Sequence, residues 1–172
     1  MITLFVRFVA RMGLYPGRVS TPIQTPPPAR PRPELTDRSL YPRWYEISTR
    51  FGDMDPAKHV NNVAIAQLYE EGRVRFHRER AGNDPIAVVV AQIAIHYLGE
   101  VHYPAPVQIG TGAAHVGRSS FTTSQALFQG GICVGLAQTT AVVVDGDGAA
   151  TPLPDWFRAY LEQSRIGAPV SA

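Results

Sequence analysis

Along the middle of the chain the apolar positions switch from a two-residue period to a helical one and back. From Trp44 to Phe51 they alternate, with Tyr45, Ile47 and Thr49 on one side, which predicts a strand. A polar stretch follows, and Val63 to Arg80 then carries a helical pattern. The first half of that helix, Val63-Ala64-Ile65-Ala66-Gln67-Leu68-Tyr69, is apolar almost all round and predicts burial on most sides. The second half, Glu70 to Arg80, is strongly charged and predicts emergence into solvent or an interface. Gly82 supplies a stop signal and Asn83-Asp84-Pro85 a turn.

From Ile86 onward the pattern is β, with strands expected at Ile86 to Leu98, Pro106 to Val116, Ser119 to Gln129 and Ile132 to Val144. Gly130-Gly131 is a hairpin signal, and Gly117-Arg118 marks the turn before it. Asp145-Gly146-Asp147-Gly148 closes the sheet. Thr151 to Gln163 opens with Pro152 and Pro154 and continues as a short amphipathic helix through Trp156, Phe157, Tyr160 and Leu161. One strand, one buried helix and four antiparallel strands describe an α+β domain whose five-stranded sheet wraps the helix.

Composition adds boundaries. At 172 residues and 45% hydrophobic content, the chain suits one core plus a tail. Residues 1–33 hold Arg7, Arg11, Arg18, Arg30 and Arg32 without an acid, together with a run of prolines. Residues 1–36 therefore read as a basic, Pro-rich tail and linker, 37–165 as the domain, and 166–172 as a C-terminal tail. Beyond the tail the net charge is negative, so nucleic-acid binding lacks its electrostatic footprint. Arg7 and Arg11 interrupt the apolar start, and no run reaches the roughly 18 residues needed to span a bilayer. Weak contact of residues 1–15 with a membrane surface competes there with a disordered tail or an over-extended start codon.

Charged residues make up 17% of the chain, below the usual share of about a quarter, which points to surface buried between subunits. The lone Cys133 excludes an intrachain disulfide and suits a reducing, cytoplasmic setting. No Cys or His spacing points to a metal, and His77, His96, His102 and His115 read as structural or surface residues.

The candidate chemistry is concentrated in Phe51-Gly52-Asp53-Met54-Asp55-Pro56-Ala57-Lys58-His59-Val60-Asn61-Asn62. Two carboxylates, a histidine and two carboxamides sit between a strand and a helix N-terminus, where backbone N–H donors lie beside an acid/base group. Such a setting suits chemistry on a carbonyl. Acids two apart on an extended segment point to opposite sides, so only one of Asp53 and Asp55 can face a site. Asp53 reads as a turn or cap residue. No Gly-x-Ser-x-Gly elbow offers a serine nucleophile.

This stretch resembles the hotdog-fold acyl-CoA thioesterases of the 4-hydroxybenzoyl-CoA thioesterase type. Tyr69-Glu70-Glu71-Gly72-Arg73, Tyr97-Leu98-Gly99-Glu100, Tyr103-Pro104-Ala105-Pro106-Val107 and Val116-Gly117-Arg118-Ser119-Ser120 extend the likeness over residues 43–163. It departs at Ala57, where some fatty-acyl members carry Asn, and at Lys58, where many carry Gly. The resemblance implies the hotdog fold and hydrolysis of an acyl-CoA or acyl carrier protein thioester to the free acid. It implies no cofactor beyond the coenzyme A of the substrate, and a homodimer or homotetramer.

The resemblance also implies Asp55 as nucleophile or general base, with amides around Asn61 and Asn62 polarising the thioester carbonyl. His59 orients the carboxylate or water, shuttles a proton, or packs in the loop, and Asn61 either meets water or substrate or caps the helix. Glu71 lies near the site or forms a structural pair with Arg73 or a neighbouring subunit. Arg118, Ser119 and Ser120 are the coenzyme A-binding candidates, set against an ordinary solvated turn. Two other activities fit the same scaffold, an enoyl-CoA hydratase or dehydratase using Asp55 and His59, and a non-catalytic acyl-CoA-binding module.

Overall fold

The computed structural model describes residues 32–79 and 86–167. Five strands form one sheet: β1 (Arg43–Ile47), β2 (Ala87–Tyr97), β3 (Val107–Val116), β4 (Ser120–Gln129) and β5 (Ile132–Val144). Their order is β1-β3-β4-β5-β2, every pairing antiparallel. The hairpin joining β4 to β5 turns at Gly130 and Gly131, both with positive φ (58° and 83°), a conformation that favours glycine. The predicted limits of β3, β4 and β5 stand within one residue.

The first strand is shorter than the alternation suggests. Tyr45, Ile47 and Thr49 do face inward, but the chain leaves the sheet after Ile47 and coils into a 3-10 turn at Phe51–Asp53. The Asp53 carboxylate causes this by capturing both the backbone N–H and the guanidinium of Arg50.

Helix α1 (Asn62–Arg78) lies across one face of the sheet, and a short helix, α2 (Asp155–Gln163), packs beside its C-terminal half. The burial of α1 corrects the expectation of a buried first half and an emergent second half. Ala64, Ile65, Leu68, Tyr69, Gly72, Arg73 and Phe76 form one inward stripe running the whole length. Val63 stays 71% exposed despite its apolar neighbours. Angular position rather than local composition decides, because the sheet covers only one side of the helix. Gly72 permits the close approach, since a Cβ there would stand 3.1 Å from Ile109. The predicted stop at Gly82 and turn at 83–85 fall outside the described residues, as does the tail at 1–15. A long helix cradled by a five-stranded antiparallel sheet is the hotdog arrangement.

Two apolar clusters fill the space between sheet and helices. One gathers Ile47, Val60, Leu68, Val101, Val107 and Ile109 around the N-terminal half of α1. The other gathers Phe76, Phe121, Phe157, Tyr160 and Leu161 around its C-terminal half. Among the described residues no helix is long and apolar enough to cross a membrane.

Candidate active site

The loop between β1 and α1 is built by its own polar side chains. Asp53 is 7% exposed and bonded to Arg50, while its carbonyl oxygen accepts the backbone N–H (2.9 Å) and the side-chain Nδ2 (2.6 Å) of Asn61. Asn61 in turn caps α1, its Oδ1 accepting from the Ala64 N–H at 2.9 Å. Both ends of the Asn61 carboxamide are thereby occupied by structure.

Asp55 sits half-buried two residues further along. Its Oδ1 accepts from the amides of Ala57 (2.9 Å) and His59 (3.3 Å), and its own N–H donates to the His59 carbonyl at 2.9 Å. Oδ2 has no protein partner among the described residues. Lys58, between them, is exposed and holds a left-handed backbone with φ of 67°. That conformation explains why glycine is common at this place in the pattern.

Of the first-turn donors, the Ala64 amide is taken by Asn61 and the Asn61 amide by Asp53. The N–H groups of Asn62 and Val63 have no protein acceptor among the described residues. They point from the N-terminus of a 17-residue helix whose dipole adds partial positive charge there. In the loop itself, Phe51 (72% exposed) meets Tyr103 edge to face at 6.0 Å.

The ring of His59 reaches a residue that the sequence alone does not draw into the site. Its Nε2 lies 3.1 Å from Oε2 of Glu100, and Nε2 of His102 lies 3.4 Å from the same oxygen. The two imidazoles meet edge to face with centroids 5.4 Å apart. Glu100 and His102 sit on the segment after β2, some forty positions from the motif, and the Glu-x-His spacing there carries no signal until the fold brings it to the loop.

Glu71 lies further along α1. It pairs with Arg75 at 2.8 Å rather than with Arg73, because residues four apart share a helical face and residues two apart do not. Arg73 turns inward to Thr139 Oγ1 at 3.3 Å. Glu71 helps line a cleft of about 520 Å³ between β1 and α1, with Ile47, Arg50, Ala64, Gln67 and Leu68. Asp55 does not line this cleft; Arg50 does, and its guanidinium holds Asp53.

Arg118, Ser119 and Ser120 occupy the β3–β4 turn. Their backbone carbonyls accept from Leu153, Val143 and Gly117, and the Arg118 side chain is exposed. This turn borders the cluster of Phe121 and Phe157, at the far end of β3 from Val107 and the loop. A ten-residue strand spans about 30 Å, so one chain does not bring Arg118 to Asp55. Among the described residues no three His, Cys, Asp or Glu groups are arranged to hold a metal.

Comparison with known proteins accords with this architecture. The family profile described as the thioesterase-like superfamily matches residues 49–161. A protein of Pseudomonas aeruginosa strain PAO1 shares 26% identity, with a TM-score of 0.71 over 76% of this chain and 96% of its own. A thioesterase from Thermus thermophilus, solved in complex with coenzyme A and Zn, shares 25% identity, with a TM-score of 0.66 over 76% of this chain and 98% of its own. A 1,4-dihydroxy-2-naphthoyl-CoA thioesterase from Synechocystis shares the fold at 16% identity and a TM-score of 0.60, over 69% of this chain and 93% of its own. No curated protein matches the sequence.

Proposed function

This chain belongs to the thioesterase-like superfamily and is a thioester hydrolase, and we propose that it cleaves an acyl-CoA to the free acid and coenzyme A with Asp55 as the reacting carboxylate. The observation that carries this reading is the division of labour within one side chain. Asp55 Oδ1 is held by two backbone amides while Oδ2 is left without a protein partner among the described residues, in the loop that leads to two open amides at the start of α1.

As general base, Asp55 takes a proton from water as the water oxygen attacks the thioester carbon. The Asn62 and Val63 N–H groups donate to the oxygen that becomes negative. The C–S bond then breaks, and the proton on Asp55 returns to the departing thiolate. As nucleophile, Asp55 Oδ2 forms a mixed anhydride and releases the thiolate, and water cleaves the anhydride afterwards. A single turnover in 18O-labelled water that leaves label in the Asp55 carboxylate identifies the anhydride route, because general-base attack places all of the label in the product acid.

The remaining site residues follow. Glu71, held from outside by Arg75, lines the cleft through which the acyl or pantetheine portion reaches α1. Arg118, Ser119 and Ser120 bind the phosphates of coenzyme A, and their place at the far end of β3 from the motif loop favours their coming from a second copy. A homodimer, or a tetramer built from it, would also cover Phe51, Val63 and the exposed Ile93 and Tyr97 on edge strand β2. The lone Cys133 suits a reducing cytoplasm.

Asp55→Asn is the direct test. Asparagine keeps the Oδ1 acceptor for the Ala57 and His59 amides, so the loop survives while the base or nucleophile is lost. Thiol release from a panel of acetyl-, octanoyl-, palmitoyl- and benzoyl-CoA should fall by about 10²–10⁴-fold in kcat. A variant as fast as the wild type would remove Asp55 from the reaction.

A further inference from the structure

The segment that carries Glu100 and His102 is fixed in place with more bonds than an ordinary surface loop. Val60, in the motif loop, donates to the Val101 carbonyl at 2.7 Å, and Val101 is buried in the core. The amides of Leu98 and Gly99 both donate to the Val134 carbonyl at 3.0 Å. At the other side, the Gln129 carboxamide closes on the main chain of His102. Its Oε1 accepts from the His102 N–H (2.8 Å), and its Nε2 donates to the His102 carbonyl (2.7 Å) and to that of Ala105 (2.9 Å). The two histidines and the carboxylate are therefore held by backbone, although each side chain is itself partly exposed.

The charges within the cluster settle where the ring protons sit. A neutral imidazole has one N–H and one lone pair. A lone pair at His59 Nε2 would face a carboxylate oxygen 3.1 Å away and be repelled, so the proton belongs on Nε2. The same holds for His102 at 3.4 Å, and one carboxylate oxygen can accept from both. With Nε2 committed, His59 presents Nδ1 as an acceptor, and that atom has no protein partner among the described residues. The His59 backbone is bonded in both directions to Asp55.

We propose that Glu100 and His102 are positioning residues of the hydrolytic site, holding His59 as its Nε2–H tautomer so that Nδ1 accepts a hydrogen bond from the water that both routes at Asp55 require. This rests on the reading of Asp55 as the reacting carboxylate. Glu100 sets the tautomer, and His102, edge-on to His59 and sharing the same oxygen, keeps the carboxylate from swinging into solvent. The three side chains bear on the orientation of water rather than on the affinity for coenzyme A, so their loss is felt in kcat and not in KM.

The test uses the full chain in four forms: wild type, Glu100→Ala, Glu100→Gln and His102→Ala. Nitrogen-15 NMR of the imidazole rings at pH 8 reads the tautomer directly, and octanoyl- and benzoyl-CoA turnover gives kcat and KM. Glu100→Ala should relax His59 from a fully Nε2–H ring to the tautomer mixture of a free imidazole, in which Nε2–H still predominates, and lower kcat by about ten- to a hundredfold at constant KM. Glu100→Gln, which keeps an acceptor oxygen, should restore the tautomer and all but about threefold of kcat. His102→Ala should fall between them. Unchanged tautomer and kcat in Glu100→Ala would overturn the proposal, as would stoichiometric zinc in the purified wild-type protein that is lost in the alanine variants. The NMR measurement needs no substrate. An Nε2–H tautomer that depends on Glu100, alongside a fully active Asp55→Asn enzyme, would therefore sink the role of Asp55 without touching the structural half of this inference.

Discussion

The two ends of α1 carry similar side chains and treat them differently. At the N-terminal end, His59 meets Glu100, with Phe51 and Val63 exposed nearby and two amides open. At the C-terminal end, His77 lies against Phe121 and Phe157 with ring centroids 5.2 and 6.0 Å away, and Phe76, Phe121 and Phe157 are fully buried. Glu79 there takes hydrogen bonds from the hydroxyls of Tyr45 (2.8 Å) and Tyr160 (3.1 Å) and an ion pair from Arg43 (3.4 Å). Burial, reinforced by Arg73, drives the His77 pKa down to about 4, and burial pushes both tyrosines well above the ordinary phenol range. A histidine beside a carboxylate at an open end keeps one ring nitrogen free of protein partners among the described residues. The same residue type enclosed by aromatics is kept neutral and serves packing.

The sharpest contrast should come from one substitution at each end. Asp55→Asn is expected to lose about 10²–10⁴-fold in kcat while its urea midpoint stays at the wild-type value. Phe157→Ala should do the reverse, losing about 3–5 kcal/mol of stability by urea unfolding while the folded enzyme keeps its kcat within about twofold. A Phe157→Ala enzyme as stable as wild type would break the comparison.

The part of the pH dependence of stability that His77 carries probes the sealed end. Because the folded pKa of His77 lies below the ordinary value near 6.5, the unfolded chain binds a proton first as pH falls. The stability His77 contributes is whole above about pH 6.5 and is lost as pH drops toward 4, amounting to up to about 3 kcal/mol. Urea melts at pH 7.5 and 4.5 should show this loss, and His77→Phe should shrink the difference. The smallest effect belongs to the open loop. Lys58→Gly relieves a left-handed backbone and should raise stability by about 0.5–1 kcal/mol, measured the same way.

Local signals are legible in the chain. Alternation and paired glycines place β3, β4 and β5 within a residue, because hairpins are encoded by neighbours. Capping is one of two readings open at Asn61 from sequence, and the structure bonds its side chain to Ala64. What escapes is angular or distant. Counting charges in Glu70 to Arg80 hides the inward line of Gly72, Arg73 and Phe76, which a 3.6-residue count would reveal. Strand β1 ends early because of a side chain two positions beyond the predicted strand. Glu100 enters the family likeness and His102 reads as structural, but neither is tied to the motif loop in the sequence because their partner is His59, and only folding makes them neighbours.

Gln129 does for residues 102–105 what an additional β-strand would do for a hairpin. Its carboxamide addresses main-chain atoms only, so the side chains displayed by that segment are free to change without shifting its place. Location is encoded at the end of β4, and chemical content at Glu100 and His102. A scaffold wired in this way can exchange the groups it presents at the mouth of the loop while the address of those groups stays constant.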